Sequence, residues 1–578
     1  MSKITAIEIE NFQSIKERVR IDLAPITLLF GPNSAGKSAV FDALDLIECL
    51  WDPTRFDQAK ATNMITRWAR RESQSYLPLR LSIEFAFELN ASTYSIDLWH
   101  EDSNWLCNKT RTSNPSFMFT EYSHEDYPEE YANFDKTTIR IDFEIVITSE
   151  LNETSKPIFS EVKISSKEKL IYQYGVSKES TDGPSLDSWD LRMFGQETII
   201  NHDTPFFQLS DLQGNPHARN LIQAKKDLAC KLNIPNLDLN SITKTRDYRT
   251  IDADLDAYDL QFAELISDFN FYFGTVLGKI FRRSSPLVKA DRRVPSPNES
   301  LFVVDINLGG WWDTKDPYAS TSPARLLKEQ FQFKDPHFTL IAHSAHIDLL
   351  LKTAHHDFWG GSHAAKYIDE LTNESNLIKH INEHLEKHLF REKLYKIECE
   401  STLMVPIDLS EDDPWGYYSL AQPATVRLLL RDGERRKLDL QDVGSGIPFV
   451  LPVLCAAVSG NLARAQQPEL HLHPALQSDL ADVFLSEVVK NKDKTFVIET
   501  HSEHLLLRLL RRIRDTEKSA QSSLELPLTP KDIAIYYFDP QVEGTTFVVK
   551  QAVTPLGDFY SDWPRGFFAE RDGDLFNV

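Results

Sequence analysis

Eight residues near the start of the chain, GPNSAGKS at 31–38, satisfy the spacing G-x-x-x-x-G-K-[ST]. Gly31 and Gly36 let the backbone turn so that its N–H groups converge on phosphate oxygens. Lys37 brings charge to the β and γ phosphates, and Ser38 offers a hydroxyl to Mg²⁺. Asn33, Ser34, Ala35, Gly36, Lys37, Ser38 and Ala39 are therefore the expected nucleotide cradle, with ATP and Mg²⁺ as cofactors. Near the other end, TFVIETHSEH at 495–504 sets Glu499 and His501 at the close of an apolar run. Ligands gather at such strand ends in α/β sheets, so His501 is either a group that reaches a γ phosphate or a structural histidine.

A cradle of this kind needs a buried strand before it and a helix after it. The sequence supplies both: ITLLF at 26–30 precedes the loop, and the apolar-periodic AVFDALDLIECLW follows it. Upstream, ITAIEIENF reads as another strand. The alternation in LPLRLSIEFAFELNASTYSIDL, 77–98, predicts a pair of strands. From about 100 to 300 the chain turns polar, with an acidic aromatic patch at 121–131 and an amphipathic helix expected over 254–281. Histidines accumulate between 320 and 392, and the 343/346 and 384/388 spacings fit one helix face, yet no H-E-x-x-H pattern completes a metal site. Strands return at 395–399 and 425–433. The expected division is an N-terminal lobe at 1–100, an insertion carrying specificity at 101–392, and a C-terminal lobe at 393–578.

Composition bounds the partners. At 578 residues, 41% hydrophobic and with a formal charge of −23, the chain is globular and unsuited to nucleic-acid binding over its whole surface. Any such contact is expected to be local, at RRSSPLVKADRR (282–293) or RLLRRIR (508–514), where internal salt bridges are the competing explanation. Five scattered cysteines suggest neither zinc nor disulfides and fit a reduced, cytoplasmic setting. The uncharged run 443–463 has the length of a membrane span, but its prolines and glycines point to a buried helix.

Taken in order, NFQSI, GPNSAGKS, DVGSGIPFVLPVL, QPELHLHPALQSDLADVF, ETHSEHLLLRLLRRI and DWPRGFFAERDGDLF resemble the AAA/ABC-type ATPases of the overcoming-lysogenisation-defect and SMC/Rad50 group. The similarity is stronger to the branch with a DUF3696-like tail. It covers 1–50 and 395–578 in detail. It implies an α/β fold, an ABC-type ATPase head in which a P-loop NTPase core has a mixed sheet flanked by helices, here with a large, mainly helical insertion. It also implies two heads enclosing ATP, with Gly444, Ser445 and Gly446 reaching the γ phosphate of the partner's nucleotide and His501 as the switch histidine. His471 and His473 then fall at the dimer face. Relatives of this type resemble ATPase components of anti-phage systems, Septu-type pairs with an HNH nuclease or retron-associated sets. No TOPRIM-like acidic cluster follows the motifs, so cutting is expected of a separate effector.

The chain departs from that pattern at Gln466 and Gln467, where the family carries acids that hold Mg²⁺ through water and orient the attacking water. Gln466 is left as a neutral metal-side donor beside Ser38, and Gln467 as a neutral group in the catalytic position. Weak hydrolysis follows, with Glu469 and Glu499 as substitute carboxyls. Two other functions stay open: a DNA-repair ATPase of SMC/Rad50 type acting directly on DNA, and a scaffold that holds ATP without turning it over.

Overall fold

The computed structural model describes residues 3–51, 58–72, 75–88, 136–148, 156–166, 169–176, 189–193, 200–202, 281, 285–295, 302–304, 335–353, 376–403, 424–518 and 524–563. Two compact units interleave along the chain. The first comprises Met1–Ala24, Phe30–Arg283 and Tyr536–Lys550; the second comprises Pro25–Leu29, Ser284–Ile535 and Gln551–Val578. The linear division expected at 100 and 392 marks changes of sequence character, whereas the units are stitched from both ends of the chain. The predicted helix at 254–281 falls, except for Phe281, outside the described residues, as do 89–98 and the tail beyond 563.

The first unit carries β1 (Lys3–Glu10), β2 (Val19–Asp22), the end of β3 (Ile26–Phe30), α1 (Ser38–Trp51), α2 (Gln58–Trp68) and a ribbon of β4 (Arg71–Glu72) and β5 (Ser75–Tyr76). Then come β6 (Leu79–Glu88), β7 (Lys136–Thr148), β8 (Lys156–Ser166), β9 (Lys169–Val176), β10 (Trp189–Met193) and β11 (Ile200–His202). Eight of these form one sheet in the order β11-β10-β9-β8-β7-β6-β1-β2. The expectation of a mainly helical insertion is thus corrected over 136–202, where the described residues are antiparallel strands. The reason is periodicity. In β7, Ile139, Ile141, Phe143 and Ile145 are buried while Arg140, Asp142 and Glu144 alternate with them, a pattern of two that a helix cannot use. The charged face neutralises itself: Arg140 donates to Glu8 at 2.6 Å and to Asp142 at 2.7 Å.

The second unit adds β12 (Phe302–Val304), α3 (Pro336–Thr353), a helical stretch over 376–389 whose last turn, Leu385–Leu389, is π-helical, β13 (Lys396–Leu403), β14 (Ala424–Arg431) and β15 (Lys437–Leu438). It continues with α4 (Gly446–Val458), β16 (Leu462–Gln466), α5 (Pro474–Lys490), β17 (Thr495–Glu499) and α6 (Glu503–Lys518). β18 (Ile533–Pro540) and β19 (Thr546–Gln551), whose residues Tyr536–Lys550 belong to the first unit, stand with them in the strand order β16-β17-β3-β18-β19. β16, β17 and β3 run parallel, with Gln466 opposite Glu499 and Glu499 opposite Leu29. Every residue of β3 is buried, the continuous apolar run that a strand covered on both faces requires. α4 is apolar because it is core: ten of its residues are buried, and among the described residues no helix is long and apolar enough to cross a membrane.

Arg508 and Arg512 of α6 both donate to Asp482 of α5, at 3.1 and 2.8 Å, so these arginines bind one helix to another. Among the described residues no cluster of His, Cys, Asp or Glu is placed to hold a metal ion. His384 instead hydrogen-bonds Glu487 at 2.8 Å, and Lys490 donates to the same oxygen at 2.7 Å. Burial opposes ionisation of Glu487, but these two partners outweigh it and hold the carboxyl down to about 2. A depressed folded-state value stabilises the fold above the unfolded value, and that stability is lost as pH falls from about 4.5 to about 2, roughly 3 kcal/mol in all. Glu487→Gln is therefore expected to melt below the unaltered chain at pH 7, with a gap that narrows on acidification. Thermal melts between pH 3 and 7 check this, and a pH-independent gap would count against it.

Candidate functional site

In the first unit the 31–38 loop joins β3 to α1, the strand–turn–helix arrangement its sequence predicts. Gly31 and Gly36 sit at φ of 142° and 84°, and neither tolerates a side chain. A Cβ at 31 would lie 2.4 Å from the Phe538 carbonyl oxygen, and one at 36 would lie 2.0 Å from Ser14 Oγ. Asn33 and Ser34 are exposed, Ala35 and Ala39 are buried, and Ser38 opens α1. Lys37 is 3% exposed; its ammonium donates to the carbonyls of Gly31 at 3.0 Å and Pro32 at 2.8 Å. The cation thus rests on its own loop.

Two supports of this loop escaped the sequence reading. The NFQSI turn places Asn11 and Gln13 at positive φ, 55° and 51°, which brings Ser14 against Gly36. The Ser14 and Thr546 hydroxyls lie 2.8 Å apart, and Thr546 donates to the Ala35 carbonyl at 2.9 Å. Gln13 adds a bond to Asp42 of α1 at 2.6 Å. The local signal for Ser14 was the turn itself, whereas Thr546 lies 511 residues from Ala35 and carried none.

The second unit gathers Gln466, Gln467, Glu469, Glu499 and His501 at the C-terminal ends of β16 and β17. Gln467 turns the chain at φ 44° and donates its N–H to the Glu499 carbonyl at 2.7 Å. Glu469 is buried and accepts the His501 N–H at 2.8 Å. Burial pushes its carboxyl up, opposed by that amide, the Thr500 hydroxyl and the charge of Arg292, so it holds a proton more readily than an exposed glutamate. A carboxyl of this kind is suited to taking a proton from water. Ser502 caps α6 by accepting the Leu505 N–H at 3.1 Å.

The two histidines of the H-x-H pair have separate tasks. His473 caps α5, its Nδ1 accepting the Ala475 N–H at 3.3 Å ahead of Pro474. The His471 ring packs 4.2 Å from that of Phe449 in α4. Gly444 and Ser445 are exposed at the head of α4, with open space around Gly444, while a Cβ at Gly446 would meet the His471 carbonyl oxygen at 3.1 Å. Within the 282–293 stretch Lys289 and Arg293 are exposed, whereas Arg292 is 6% exposed and donates to backbone carbonyls.

On the loop of the first unit the Ser38 hydroxyl is a neutral oxygen available to Mg²⁺; in the second unit Gln466 is a half-buried neutral amide. A neutral hydroxyl suits an ion whose charge is met chiefly by phosphate oxygens and water, the usual condition of this cation.

The AAA ATPase domain family matches the chain over residues 2–291. No curated protein matches the sequence. Among solved structures, the chain is similar to an Smc head bound to the C-winged helix domain of ScpA, with 9% identity, a TM-score of 0.39, and 95% of this chain and 98% of that one covered. It is similar to an Smc head with an extended coiled coil bound to the C-terminal domain of ScpA derived from Pyrococcus furiosus: 10% identity, TM-score 0.34, 96% and 97% covered. For the SMC head domain from Thermotoga maritima the values are 8%, 0.32, 96% and 99%. The fold is a mixed α/β P-loop ATPase fold, in keeping with the ABC-type head expected from the motifs.

Proposed function

The chain belongs to the AAA ATPase domain family, and on that premise we propose that it binds ATP with Mg²⁺ on the 31–38 loop, hydrolyses it slowly, and acts as a dimerising regulatory ATPase. The observation that carries slow turnover is the end of β16, where Gln466 and Gln467 are neutral and Glu469 is the buried carboxyl of the turn. Lys37 and the loop amides bind the phosphates. Ser38 would hold Mg²⁺, which when bound offsets the charge of the triphosphate. Glu469 orients water and takes its proton, Glu499 is its alternate, and His501 reads the γ phosphate.

The exposure of Gly444 and Ser445 supports their offer to the nucleotide of a second copy. The order of motifs and the tail at 562–576 support a place in an anti-phage complex whose effector, an HNH-type nuclease, is a separate protein. Direct action on DNA is less favoured, since Arg508 and Arg512 are spent on Asp482 and Arg292 is buried.

Bound nucleotide and released phosphate, measured in one sample with labelled ATP and Mg²⁺, test this reading. The expected result is near-stoichiometric ATP with phosphate release slowed by up to about two to four orders of magnitude, the full contribution of a well-placed general base, because Glu469 replaces that base only in part. Absence of bound ATP would sink the proposal, and rapid release would sink its slow-turnover part.

A further inference from the structure

Arg292 is a buried guanidinium with an unusual set of partners. Nε donates to the Phe449 carbonyl at 2.9 Å. Nη1 donates to the carbonyls of Lys289 at 3.2 Å and Gln466 at 3.3 Å. Nη2 donates to those of Gln467 at 3.0 Å and Pro468 at 3.3 Å. All five donors of the fork therefore meet backbone oxygens, which satisfies the group without a carboxylate. The segment that carries it is itself fixed, because Val288 lies beside β16, donating to the Arg464 carbonyl at 3.0 Å and accepting the Gln466 N–H at 2.8 Å.

Apart from Lys289, on the same segment as Arg292, these partners come from two stretches that the proposed function uses. Gln466, Gln467 and Pro468 are consecutive and lead directly into Glu469, while Phe449 belongs to the first turn of α4, three residues after Gly446. Burying a guanidinium is costly unless its donors are met, and here five backbone carbonyls meet them. Burial does depress Arg292, to about 10, and the charges of Glu469 and Asp335 work against that depression. The guanidinium is thus a charged peg that holds a turn in which Gln467 sits at φ 44°, a conformation that non-glycine residues adopt rarely.

We propose that Arg292 is the positioning residue for Glu469: it clamps the 466–468 turn to the first turn of α4, so that the carboxyl of Glu469 and the 444–446 turn are held as one rigid piece. This rests on the reading of Glu469 as the group that orients water. Lysine keeps the charge and most of the stem but has three donors around a single nitrogen, so it cannot reproduce a planar fork.

The test uses the full chain, with R292K, E469Q and the double variant compared by melting temperature, ATP affinity and phosphate release per bound ATP. R292K is expected to bind ATP as the unaltered chain does, yet release phosphate about tenfold or more slowly, the E469Q loss should be at least as large, and the double variant should be no slower than E469Q, as for residues acting as a unit. Unchanged release in R292K, losses that multiply in the double variant, or an equal loss of ATP affinity would overturn the positioning role while leaving Glu469 in place. Unchanged release in E469Q alone would instead overturn the reading of Glu469, and this inference with it. R292Q, neutral and with fewer donors, serves as the second variant should R292K melt below the assay temperature; it is expected to show the same release defect, and normal release would again overturn the role.

Discussion

Gln467→Glu is expected to raise phosphate release by up to about two to four orders of magnitude while leaving ATP affinity nearly unchanged, because a well-placed base contributes that much, Glu469 supplies it only in part, and glutamate matches glutamine in shape. The backbone at 467 is already committed: its N–H is bound to Glu499 and its carbonyl to Arg292. The substitution therefore exchanges an amide for a carboxylate on a fixed turn. Gln466→Glu should behave differently, since residue 466 faces Glu499 across the parallel pair β16–β17. Two carboxylates so placed repel and raise one another's proton affinity, so this variant is expected to melt lower without Mg²⁺ and to recover with it. Phosphate release and melting curves, each with and without Mg²⁺, separate the two effects. If Gln467→Glu gains nothing while the unaltered chain turns over briskly, a carboxyl already present is the base.

The parts of the site that chemistry dictates locally were legible in the sequence. A phosphate loop needs glycines at fixed offsets, a buried strand before it and a helix after it, and GPNSAGKS between ITLLF and AVFDALDLIECLW meets each demand within about two dozen residues. The starts of the C-terminal helices carry local signals of the same kind, Ser502 before α6 and the His473–Pro474 pair before α5. What was not legible depends on pairings across hundreds of residues. Thr546 reaches Ala35 from the other end of the chain, and Arg292 reaches Pro468 across 176 positions; neither leaves a local pattern. The 282–293 stretch that carries Arg292 offers a local nucleic-acid contact, solvated charge or internal salt bridges as its readings, and none of these singles out a buried arginine bound to backbone carbonyls. The polar stretch after residue 100 shows turn-forming residues first, the mainly helical insertion comes only with the family resemblance, and the period-two alternation in IRIDFEIVI is plain once β7 is seen.

Unit architecture follows the same logic. The strands that flank β3 in the sheet are β17 and β18, both from the last fifth of the chain. The strand that leads into the loop, β3, is therefore paired by a segment far from it in sequence, β17. The Ser14–Thr546–Ala35 relay extends that dependence to the loop itself.

Lys37→Ala is expected to weaken ATP binding by roughly 2–4 kcal/mol, or about 30- to 1,000-fold in Kd, since one ammonium makes charge-assisted bonds to more than one phosphate oxygen. The amine is already hydrogen-bonded to the carbonyls of Gly31 and Pro32, so ATP must exchange neutral acceptors for charged ones, and the difference between them drives the exchange. Removing the amine leaves those two carbonyls to water, at a cost in stability smaller than the loss in binding. The fold should therefore survive: β3 is buried throughout, and the Ser14 and Thr546 contacts hold Ala35 and crowd Gly36 whether or not Lys37 is present. Titration with a fluorescent ATP analogue, beside melting curves of both proteins without nucleotide, separates the two contributions. Lost affinity with a melting temperature within a few degrees of the unaltered chain is the expected pair of results. Full affinity in Lys37→Ala would move the nucleotide off this loop, and the roles given to Glu469, Gln467 and Arg292 would lose their reaction.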